Sequence, residues 1–571
     1  MNNQIEKYRG KALMNANKLK SLANRHRLII HNGLLVLAIA LLLTVTTYAA
    51  FHTSYTISTG SDSILATELF SKGLQGHTVI LSGVHSNLLM IPLWYIQGHL
   101  PYHYTSFTLV NIGLVLVTIC AWAYLLIKLF GRKWELLILL LLSTLIFTSV
   151  TFNLNIAYTT IRNIEYPIAL WFVMIVARLL KQIKYSRKEI ALSALGSLLF
   201  CIVVAGDSFF SYAILLPLVL VIAWYWIQSR EFTLNMLKAL GLVTGIFIGA
   251  ALLKILIAAT GIIFFSNSYI EASSILPTNE LAPSITIALN QLLQLSGATI
   301  FGQAVSFHNL AIFINFGLLI LGTVGLVVII TKGSRNFRNR KRLVDGNNFV
   351  FIAMAVSYFT IFTIYILSGF VVTRLANGQI VSWQNERYIS FMPLISIIGF
   401  VWLLKNFYKK HGTLLFLMAI ILVVCLISSY SNTSSSYKVA AQQENVSRFS
   451  IINIITVLKH NDVHEVLTDY EYGPPIRFWS SNSINYAPQT GCDNSFPFNV
   501  REDWFMPQKG IKSALIIDHS GWGCTNEQLV RIYGKPIKRI SAPGMTTNST
   551  IDIWIYNYDV RQHLLPFPIT N

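Results

Sequence analysis

The sequence predicts an α-helical polytopic membrane protein with about eleven transmembrane helices and a small α/β domain at its C-terminal end. Hydrophobic side chains make up 54% of the 571 residues and charged ones only 12%, and the mean hydropathy is +0.56. Soluble proteins of this length are less apolar. Runs able, with their flanks, to cross a hydrocarbon core of about 30 Å recur at residues 34–48, 107–129, 136–152, 240–265, 310–330 and 414–427.

Basic side chains indicate the orientation of these helices, because loops rich in Lys and Arg resist translocation. Such side chains cluster in every second loop, at residues 7–27, 132–133, 178–188, 230–238, 332–342 and 405–410. We therefore expect a cytoplasmic tail at residues 1–27, a membrane domain at residues 28–430, and an extracytoplasmic C-terminal region in the cell membrane. We expect no cleavable signal peptide, since no small-residue cleavage site follows the first apolar run.

The excess of basic charge belongs to the membrane domain. Residues 431–571 carry 12 basic and 12 acidic side chains, so the formal net charge of +19 lies entirely in the first 430 residues. Clusters of Lys and Arg at loop spacing are typical of contact with anionic lipid headgroups. The charge therefore predicts membrane lipids as partners and does not indicate nucleic acid.

Two long outer segments, residues 51–104 and 266–308, separate apolar runs. In the first, residues 61–73 have the pattern of a short amphipathic helix, with Asp62 among its candidate N-caps. Its apolar face consists of Ile64, Leu65, Leu69 and Phe70. A similar pattern covers residues 285–295, and we expect both helices to lie along the membrane surface.

The C-terminal region begins with a polar, serine-rich stretch at residues 431–448, which is typical of a linker and should be open to protease from outside. Residues 449–571 then combine a helical pattern with short strands, among them an edge or hairpin strand at residues 551–559. This predicts an α/β domain of about 120 residues. Cys492 and Cys524 lie in this domain, where an oxidising compartment would let them form a disulfide.

Few charged residues remain on the outer side of the predicted topology. Together with Lys254 inside an apolar run, they are Asp62, Glu68, Lys72, Arg162, Glu165, Asp207, Glu271, Glu280, Arg374, Glu386 and Arg387. Charges at the ends of membrane helices are either solvated or parts of a site. Arg162 and Glu165 lie one helical turn apart before a predicted helix, and Asp207 occupies a tight turn between two others.

Three of these stretches resemble the C-type superfamily of integral-membrane glycosyltransferases, which includes protein O-mannosyltransferases and aminoarabinose transferases. They are GSDSILATELFSKG after the first apolar run, RNIEYPIALWF before a later one and NERYISFMP at a late one. The topology of residues 28–430 fits the same superfamily. Many members have a second acidic residue beside the first, where this chain has Ser63, so the resemblance leaves open whether a divalent metal takes part.

The resemblance implies inverting transfer of a sugar from a polyprenyl-phosphate donor to a glycan, lipid or protein acceptor on the outer face of the membrane. Asp62 would take the proton of the acceptor hydroxyl as general base. Arg387 would hold the donor phosphate, and Glu386 would orient Arg387 or neutralise it. The rest of the expected substrate-binding set is Arg162, Glu165, Asp207 and Lys254. We expect the acids and arginines of this set to converge on one outward-facing cavity.

Each of these residues also has a simpler interpretation. Asp62 can serve only as an N-cap, and Arg387 can anchor a headgroup beside Tyr388. Arg162 and Glu165 can form a surface ion pair. Lys254 can extend its amine to the interface. The histidines of the first outer segment, which lack the spacing of metal ligands, are His77, His85, His99 and His103.

Two other classes of function remain alternatives. A transporter or flippase of a lipid-linked glycan would need the same polar site, although transporters usually show repeated halves, which this sequence lacks. A membrane sensor with an external ligand-binding domain would also explain the C-terminal region. Such a sensor would not need charged residues at the ends of the membrane helices.

Overall fold

A computed structural model of the chain is mainly helical, with a sheet-containing region at its C-terminal end. It describes residues 29, 31–58, 60, 64–65, 68–70, 78–82, 85–100, 103–131, 134–157, 162–181, 186–230, 232–266, 275–307, 309–338, 346–374, 380–382, 385–407, 412–518, 524–546 and 549–564.

The helices follow the apolar runs of the sequence. In chain order they are α1 (His31–Thr56), α2 (Ile91–His99), α3 (His103–Phe130), α4 (Trp134–Ile146), α5 (Val150–Leu154), α6 (Glu165–Leu180), α7 (Arg187–Gly206), α8 (Leu216–Ser229), α9 (Leu234–Ala259), α10 (Leu281–Leu295), α11 (Leu310–Arg338), α12 (Gly346–Leu367), α13 (Met392–Phe407), α14 (Gly412–His460), α15 (Gly473–Trp479) and α16 (Asn526–Tyr533).

Eight helices in the described part of the chain are long and apolar enough to cross a membrane: α1, α3, α7, α8 with the π-helical turn before it, α9, α11, α12 and α14. Two others, α4 and α13, are apolar but shorter. The predicted run at residues 136–152 is divided, because α4 ends at Ile146 and Ser149 then caps α5 by accepting a hydrogen bond from the backbone N–H of Phe152. The run at residues 240–265 is helical only to Ala259 and continues as a strand.

Small residues let two membrane helices pack closely. A Cβ on Gly325 of α11 would stand 2.3 Å from the carbonyl oxygen of Gly399 of α13, and one on Gly322 would stand 2.3 Å from the carbonyl oxygen of Ser396. Neither backbone can yield at such distances, so this contact requires glycine at both positions.

The strands of the described residues form three sheets. They are β1 (Val79–Ser82), β2 (Ile263–Ser266), β3 (Val372–Arg374), β4 (Ile380–Ser382), β5 (Glu465–Thr468), β6 (Asn485–Thr490), β7 (Asn494–Ser495), β8 (Val500–Arg501), β9 (Ser513–Asp518), β10 (Lys538–Pro543) and β11 (Thr550–Tyr556).

The C-terminal region contains a six-stranded sheet in the order β10-β11-β9-β5-β6-β7, in which β5 runs parallel to β6 and β9. Strand β11 lies inside the sheet, between β10 and β9. Its alternating side chains enter two different cores, with Ile553 on one face and Trp554 on the other. The sequence predicts an edge or hairpin strand here; the structure has the hairpin with β10, but burial on both faces places β11 within the sheet. A disulfide joins Cys492 to Cys524.

A second sheet joins the C-terminal region to the outer segments of the membrane domain. Strand β1 pairs in parallel with β2 and antiparallel with β8, in the order β2-β1-β8. The side chain of Asn499, just before β8, accepts a hydrogen bond from the backbone N–H of Ser82 at 3.0 Å. The first outer segment, the end of the run at residues 240–265 and the C-terminal region therefore lie on the same side of the helix bundle.

Residues 431–448, which the sequence predicts as a linker, belong instead to α14. This helix has 49 residues and is therefore roughly 70 Å long, more than twice the thickness of a hydrocarbon core. Contacts along its length stabilise the helical form: Tyr437 is buried and shares a 3.0 Å hydrogen bond with Thr53 of α1, and the carboxylate of Glu444 accepts a hydrogen bond from Ser58. The last apolar helix thus continues without a break into the first residues of the C-terminal region.

The predicted amphipathic helix at residues 61–73 is described only at residues 64–65 and 68–70, and all four apolar residues of its predicted face are buried. Glu68 is also buried, so this part of the segment packs within protein rather than along a membrane surface. Ile64 lies in one cluster with Phe107 of α3 and Phe478 of α15, whereas Leu65, Leu69 and Phe70 belong to the main core of the helix bundle.

Candidate functional site

Three loops bring a buried cluster of polar side chains together at the end of the helix bundle that faces the C-terminal region. Arg162 precedes α6, Asp207 is the C-cap residue between α7 and the next helical turn, and His85 follows β1. His85 and Asp207 form an isolated β-bridge, which holds the two backbones side by side. The backbone N–H of His85 also donates to the hydroxyl of Ser82 at the end of β1.

The centre of this cluster is an ion pair between Arg162 and Asp207. The Nε atom of Arg162 lies 2.6 Å from Oδ2 of Asp207, and Nη2 donates to Oδ1 at 3.1 Å. Nδ1 of His85 lies 3.0 Å from Oδ2. The backbone N–H of Phe209 donates to Oδ1 at 3.0 Å. The carboxylate is thus saturated, and it holds both the guanidinium and the imidazole in fixed orientations.

Aromatic rings cover the guanidinium of Arg162. Its Cζ atom lies 4.3 Å from the ring centroid of Phe209 and 4.3 Å from that of Tyr388. Arg162 is only 1% exposed, yet its Nη1 atom has no hydrogen-bond partner among the described residues. A buried cationic donor without a partner costs stability, so such a donor is expected where an anionic group binds.

The charges of this cluster stabilise one another. Burial alone would raise the pKa of the Asp207 carboxyl, but Arg162 and His85 outweigh burial and hold this pKa well below its ordinary value. Burial would lower the pKa of Arg162, but the Asp207 carboxylate outweighs it and raises the pKa. Both groups therefore stay ionised at neutral pH.

One interpretation of the sequence is an ion pair between Arg162 and Glu165, but the structure has a different pair. Arg162 pairs with Asp207, and no ion pair joins Arg162 to Glu165 in the described chain. Glu165 is buried, and its Oε2 accepts the backbone N–H of Asn163 at 2.9 Å, which satisfies the turn that enters α6. Its role in the fold is that of a local cap beside the cluster.

Glu386 and Arg387 reach the cluster through their neighbour Tyr388. The guanidinium carbon of Arg387 lies 5.7 Å from the Tyr388 ring that also covers Arg162, so both arginines lie against one aromatic ring. Burial raises the pKa of the Glu386 carboxyl, although hydrogen bonds from its own backbone and from Gln291, and the charge of Arg387, oppose this shift.

Lys254 lies in the last two turns of α9 and also points toward this end of the molecule. Its Nζ atom lies 5.8 Å from the ring centroid of Phe265 in β2, and the Asp207 carboxylate acts on it electrostatically. The structure thus brings Arg162 and Asp207 into direct contact and connects Arg387 to them through Tyr388. Glu165 caps the turn beside them, Glu386 precedes Arg387, and Lys254 is related to Asp207 only electrostatically.

The predicted general base cannot be placed against the cluster. Asp62, the predicted general base, falls outside the described residues, although the nearby residues Ile64 and Leu65 are described and buried. Among the described residues, no group of three or more His, Cys, Asp or Glu side chains could hold a metal ion.

His85 is the residue of this cluster that sequence reasoning missed. Its spacing from other histidines matches no metal site, and a lone histidine in an outer segment carries no further signal. Its partner, Asp207, is 122 positions away in the chain. Only the β-bridge between the two segments, which sequence patterns do not predict, brings them together.

A large apolar groove lies on the side of the bundle formed by α10, α11 and α12. Its volume is about 870 Å³, and its lining includes Leu289, Leu293, Phe316, Val324 and Phe362. Gln291 of α10 follows the groove residue Asn290 in the chain. It is buried and accepts a hydrogen bond from Tyr365 at 2.9 Å. Helix α10 therefore separates the groove from the surroundings of Glu386.

Comparison with models of protein families finds no match to this chain. A search of curated proteins likewise finds no significant match.

Proposed function

We propose that this protein is an inverting membrane glycosyltransferase, which transfers a sugar from a polyprenyl-phosphate donor to an acceptor hydroxyl on the outer face of the cell membrane. The observation that carries the proposal is Arg162, a buried arginine whose guanidinium lies against two aromatic rings and which has one donor nitrogen without a partner among the described residues. A second arginine, Arg387, lies against the same tyrosine. Two arginines on one ring suit the oxygens of a lipid phosphate.

Each of these charged residues has a role in the proposed reaction. The acceptor oxygen attacks the anomeric carbon as the bond between that carbon and the phosphate oxygen breaks, and the electron pair leaves with the polyprenyl phosphate. Asp62 takes the proton of the acceptor hydroxyl. Arg162 and Arg387 stabilise the charge that develops on the phosphate, and a site from which water is excluded strengthens this effect. Asp207 and His85 orient Arg162.

The groove beside α10 supports a lipid-linked donor. Its lining is nearly all apolar, and it opens on the surface of helices that are apolar enough to face lipid. A polyprenyl chain would bury apolar surface there. The acceptor class stays as broad as the sequence leaves it: a glycan, a lipid or a protein.

The proposed topology has a cytoplasmic N-terminus, about eleven transmembrane helices and an extracytoplasmic C-terminal region. This topology is inferred from the Lys and Arg clusters, which occur in every second loop. The exposed ion pair of Arg178 with Glu189 lies at the expected cytoplasmic end, whereas the buried pair of Arg162 with Asp207 lies at the opposite ends of α6 and α7.

The test is reconstitution of the full chain in lipid vesicles with a panel of polyprenyl-phosphate sugars, with release of polyprenyl phosphate as the readout. We expect release with at least one donor, and a loss of roughly 10² to 10³-fold in rate for Arg162→Lys, since lysine lacks the planar fork that Asp207 and the phosphate share. Arg178→Lys is the matched control, because Arg178 is exposed and lies on the other side.

Two outcomes would contradict the proposal. No release with any donor, from protein that is folded and correctly inserted, would exclude sugar transfer from these carriers. Movement of an intact lipid-linked glycan between leaflets without release of the carrier would favour the flippase alternative.

A further inference from the structure

The loop between α10 and α11, at residues 299–307, exposes three large apolar side chains. The exposed fractions of Phe301, Val305 and Phe307 are 76%, 89% and 64%. The sequence has no Asp, Glu, Lys or Arg from residue 281 to residue 331. A loop that exposes apolar side chains and lacks charge indicates contact with another apolar surface.

Two hydrogen bonds show where this loop lies along the membrane helices. The side-chain amide of Asn315 donates to the backbone carbonyl of Gly297 at 3.3 Å, and Asn315 is about 8 Å along α11 from its first residue. The hydroxyl of Ser428 donates to the backbone carbonyl of Phe307 at 2.6 Å. Ser428 directly follows the apolar run at residues 414–427 of α14. Both ends of the loop therefore lie beside apolar helices, near the end of α14's apolar run that leads to the C-terminal region.

Hydrogen bonds within the protein satisfy much of the polar backbone of this loop. The side-chain amide of Asn309 donates to the carbonyl of Ala304 at 2.9 Å, and the hydroxyl of Ser306 accepts the backbone N–H of Asn309 at 3.3 Å. The backbone N–H of Gln303 donates to the carbonyl of Ile300 at 3.1 Å. Irregular backbone at membrane depth needs partners of this kind, because hydrocarbon offers no hydrogen bonds.

The apolar surface of the loop belongs to the same part of the molecule as α11 and the apolar groove. Ile320, Leu321 and Val324 of α11 are exposed, on a helix that is apolar enough to cross a membrane. Phe301 of the loop and Val324 of α11 both line the groove. The loop thus extends the surface that α11 presents to lipid when it crosses a membrane.

From these observations we infer that residues 299–307 form a membrane-embedded loop, and that its partner is the acyl-chain region of the leaflet on the side of the C-terminal region. Lipid fits this surface better than a second copy of the chain, because protein interfaces carry a polar rim and this loop exposes large apolar side chains without charge. The inference does not depend on the proposed function. A lipid chain that occupies the groove contacts Phe301, so the loop also forms part of the groove wall.

The experiment uses the full chain and compares Val305→Cys with the control Ile537→Cys. Ile537 is also apolar and 61% exposed, but it lies in the C-terminal region just before β10. Cys120, Cys201 and Cys425 are first replaced by serine or alanine. Each variant is labelled with a nitrobenzoxadiazole maleimide and reconstituted in phosphatidylcholine vesicles. Its fluorescence is measured with lipids brominated on the acyl chains and, separately, with iodide on both sides of the membrane.

We expect the label at position 305 to emit at shorter wavelength than the label at position 537, because it lies among acyl chains. Bromines about 5–10 Å below the headgroups should quench position 305 at least about twofold, and iodide should leave it unchanged. Position 537 should show the opposite pattern, with quenching by iodide and none by brominated lipid.

Two results would overturn the inference. Quenching of position 305 by iodide and not by brominated lipid would place the loop in water. Protection of position 305 from both quenchers would mean that protein covers the loop, either a second copy or another part of the chain. If the labelled Val305→Cys chain does not fold, Phe301→Cys replaces it with the same expected pattern. No readout here requires sugar transfer, so failure of the proposed function would leave this test intact.

Discussion

Arg162 is fixed on three sides, by a carboxylate and by two aromatic rings, and one of its donor nitrogens has no partner among the described residues. Asp207 neutralises most of the charge of Arg162, so a bound anion needs additional cations nearby. Arg387, which lies against the same Tyr388 ring, and Lys254, which interacts electrostatically with Asp207, are the other cations of the predicted set. The balance suits a single phosphate group better than a sugar hydroxyl alone.

Asp207→Asn should destabilise the fold strongly. The amide cannot neutralise Arg162, and an uncompensated buried charge costs roughly 3–5 kcal/mol. We expect a clear fall in the thermal unfolding midpoint of the purified protein and reduced recovery of folded chain. Arg178→Gln, which breaks the exposed pair with Glu189, should leave the midpoint nearly unchanged. A normal midpoint for Asp207→Asn would mean that Arg162 has another counter-charge.

Asp62→Asn and Arg387→Ala should have different effects on donor binding and on turnover. The amide at position 62 keeps the size and capping ability of aspartate but cannot take a proton, so turnover should fall roughly 10² to 10⁴-fold with donor binding nearly intact. Arg387→Ala should weaken donor binding as well as transfer, because the phosphate is charged in both ground and transition states. Donor titrations and single-turnover rates separate the two. Full activity of Asp62→Asn would remove Asp62 as the base.

At the scale of elements, the sequence predicts what local patterns encode and misses what distant contacts decide. Apolar runs locate most of the helices that are apolar enough to cross a membrane, and alternation locates β11. The serine-rich residues 431–448 look like a linker because local composition favours a flexible chain there. They are helical because α1 packs against them through contacts such as Thr53 with Tyr437. The outer charges were recognisable as a set, but the pairing of Arg162 with Asp207 and His85 depends on how three loops meet.

The contact of α11 with α13 gives a prediction at this scale. Gly325→Ala places a methyl group 2.3 Å from the carbonyl oxygen of Gly399, and the backbone there cannot yield without separating the helices. Overpacking of this kind costs roughly 1–3 kcal/mol or more. Recovery of monodisperse protein in detergent should fall. Gly317→Ala on the same helix meets nothing within 4 Å and should be recovered like the unmodified chain. Equal recovery of both variants would show that α11 and α13 do not pack in this register.

At the scale of the whole molecule, the C-terminal region is joined to the membrane domain at several separate places. Strand β8 completes a sheet with β1 and β2, α14 continues from the membrane helix, and α15 holds the outer segment. A region joined in this way cannot move freely as a separate domain. The same contacts place the Arg162 cluster on the side of the C-terminal region, because the backbone N–H of His85 donates to Ser82 at the end of β1.

This arrangement makes the side of the membrane testable with one pair of positions. Lys512 in the C-terminal region and Arg178 at the opposite ends of the helices have similar exposed fractions, 46% and 47%. Each is replaced by cysteine in a chain whose three free cysteines, Cys120, Cys201 and Cys425, are replaced by serine or alanine. A membrane-impermeant maleimide added to sealed cells should label position 512, and should label position 178 only after permeabilisation.

The sheet of β1, β2 and β8 extends that result to the site itself. If position 512 is outside, the strands that pair with β8 are outside too, and with them His85 and the ion pair that it contacts. Lipid-phosphate sugars are then the activated donors within reach, because the energy of the phosphate bond travels with the carrier across the membrane. Labelling of position 178 alone in sealed cells would place the Arg162 cluster in the cytoplasm, and the proposed donor class would lose the topological argument on which it depends.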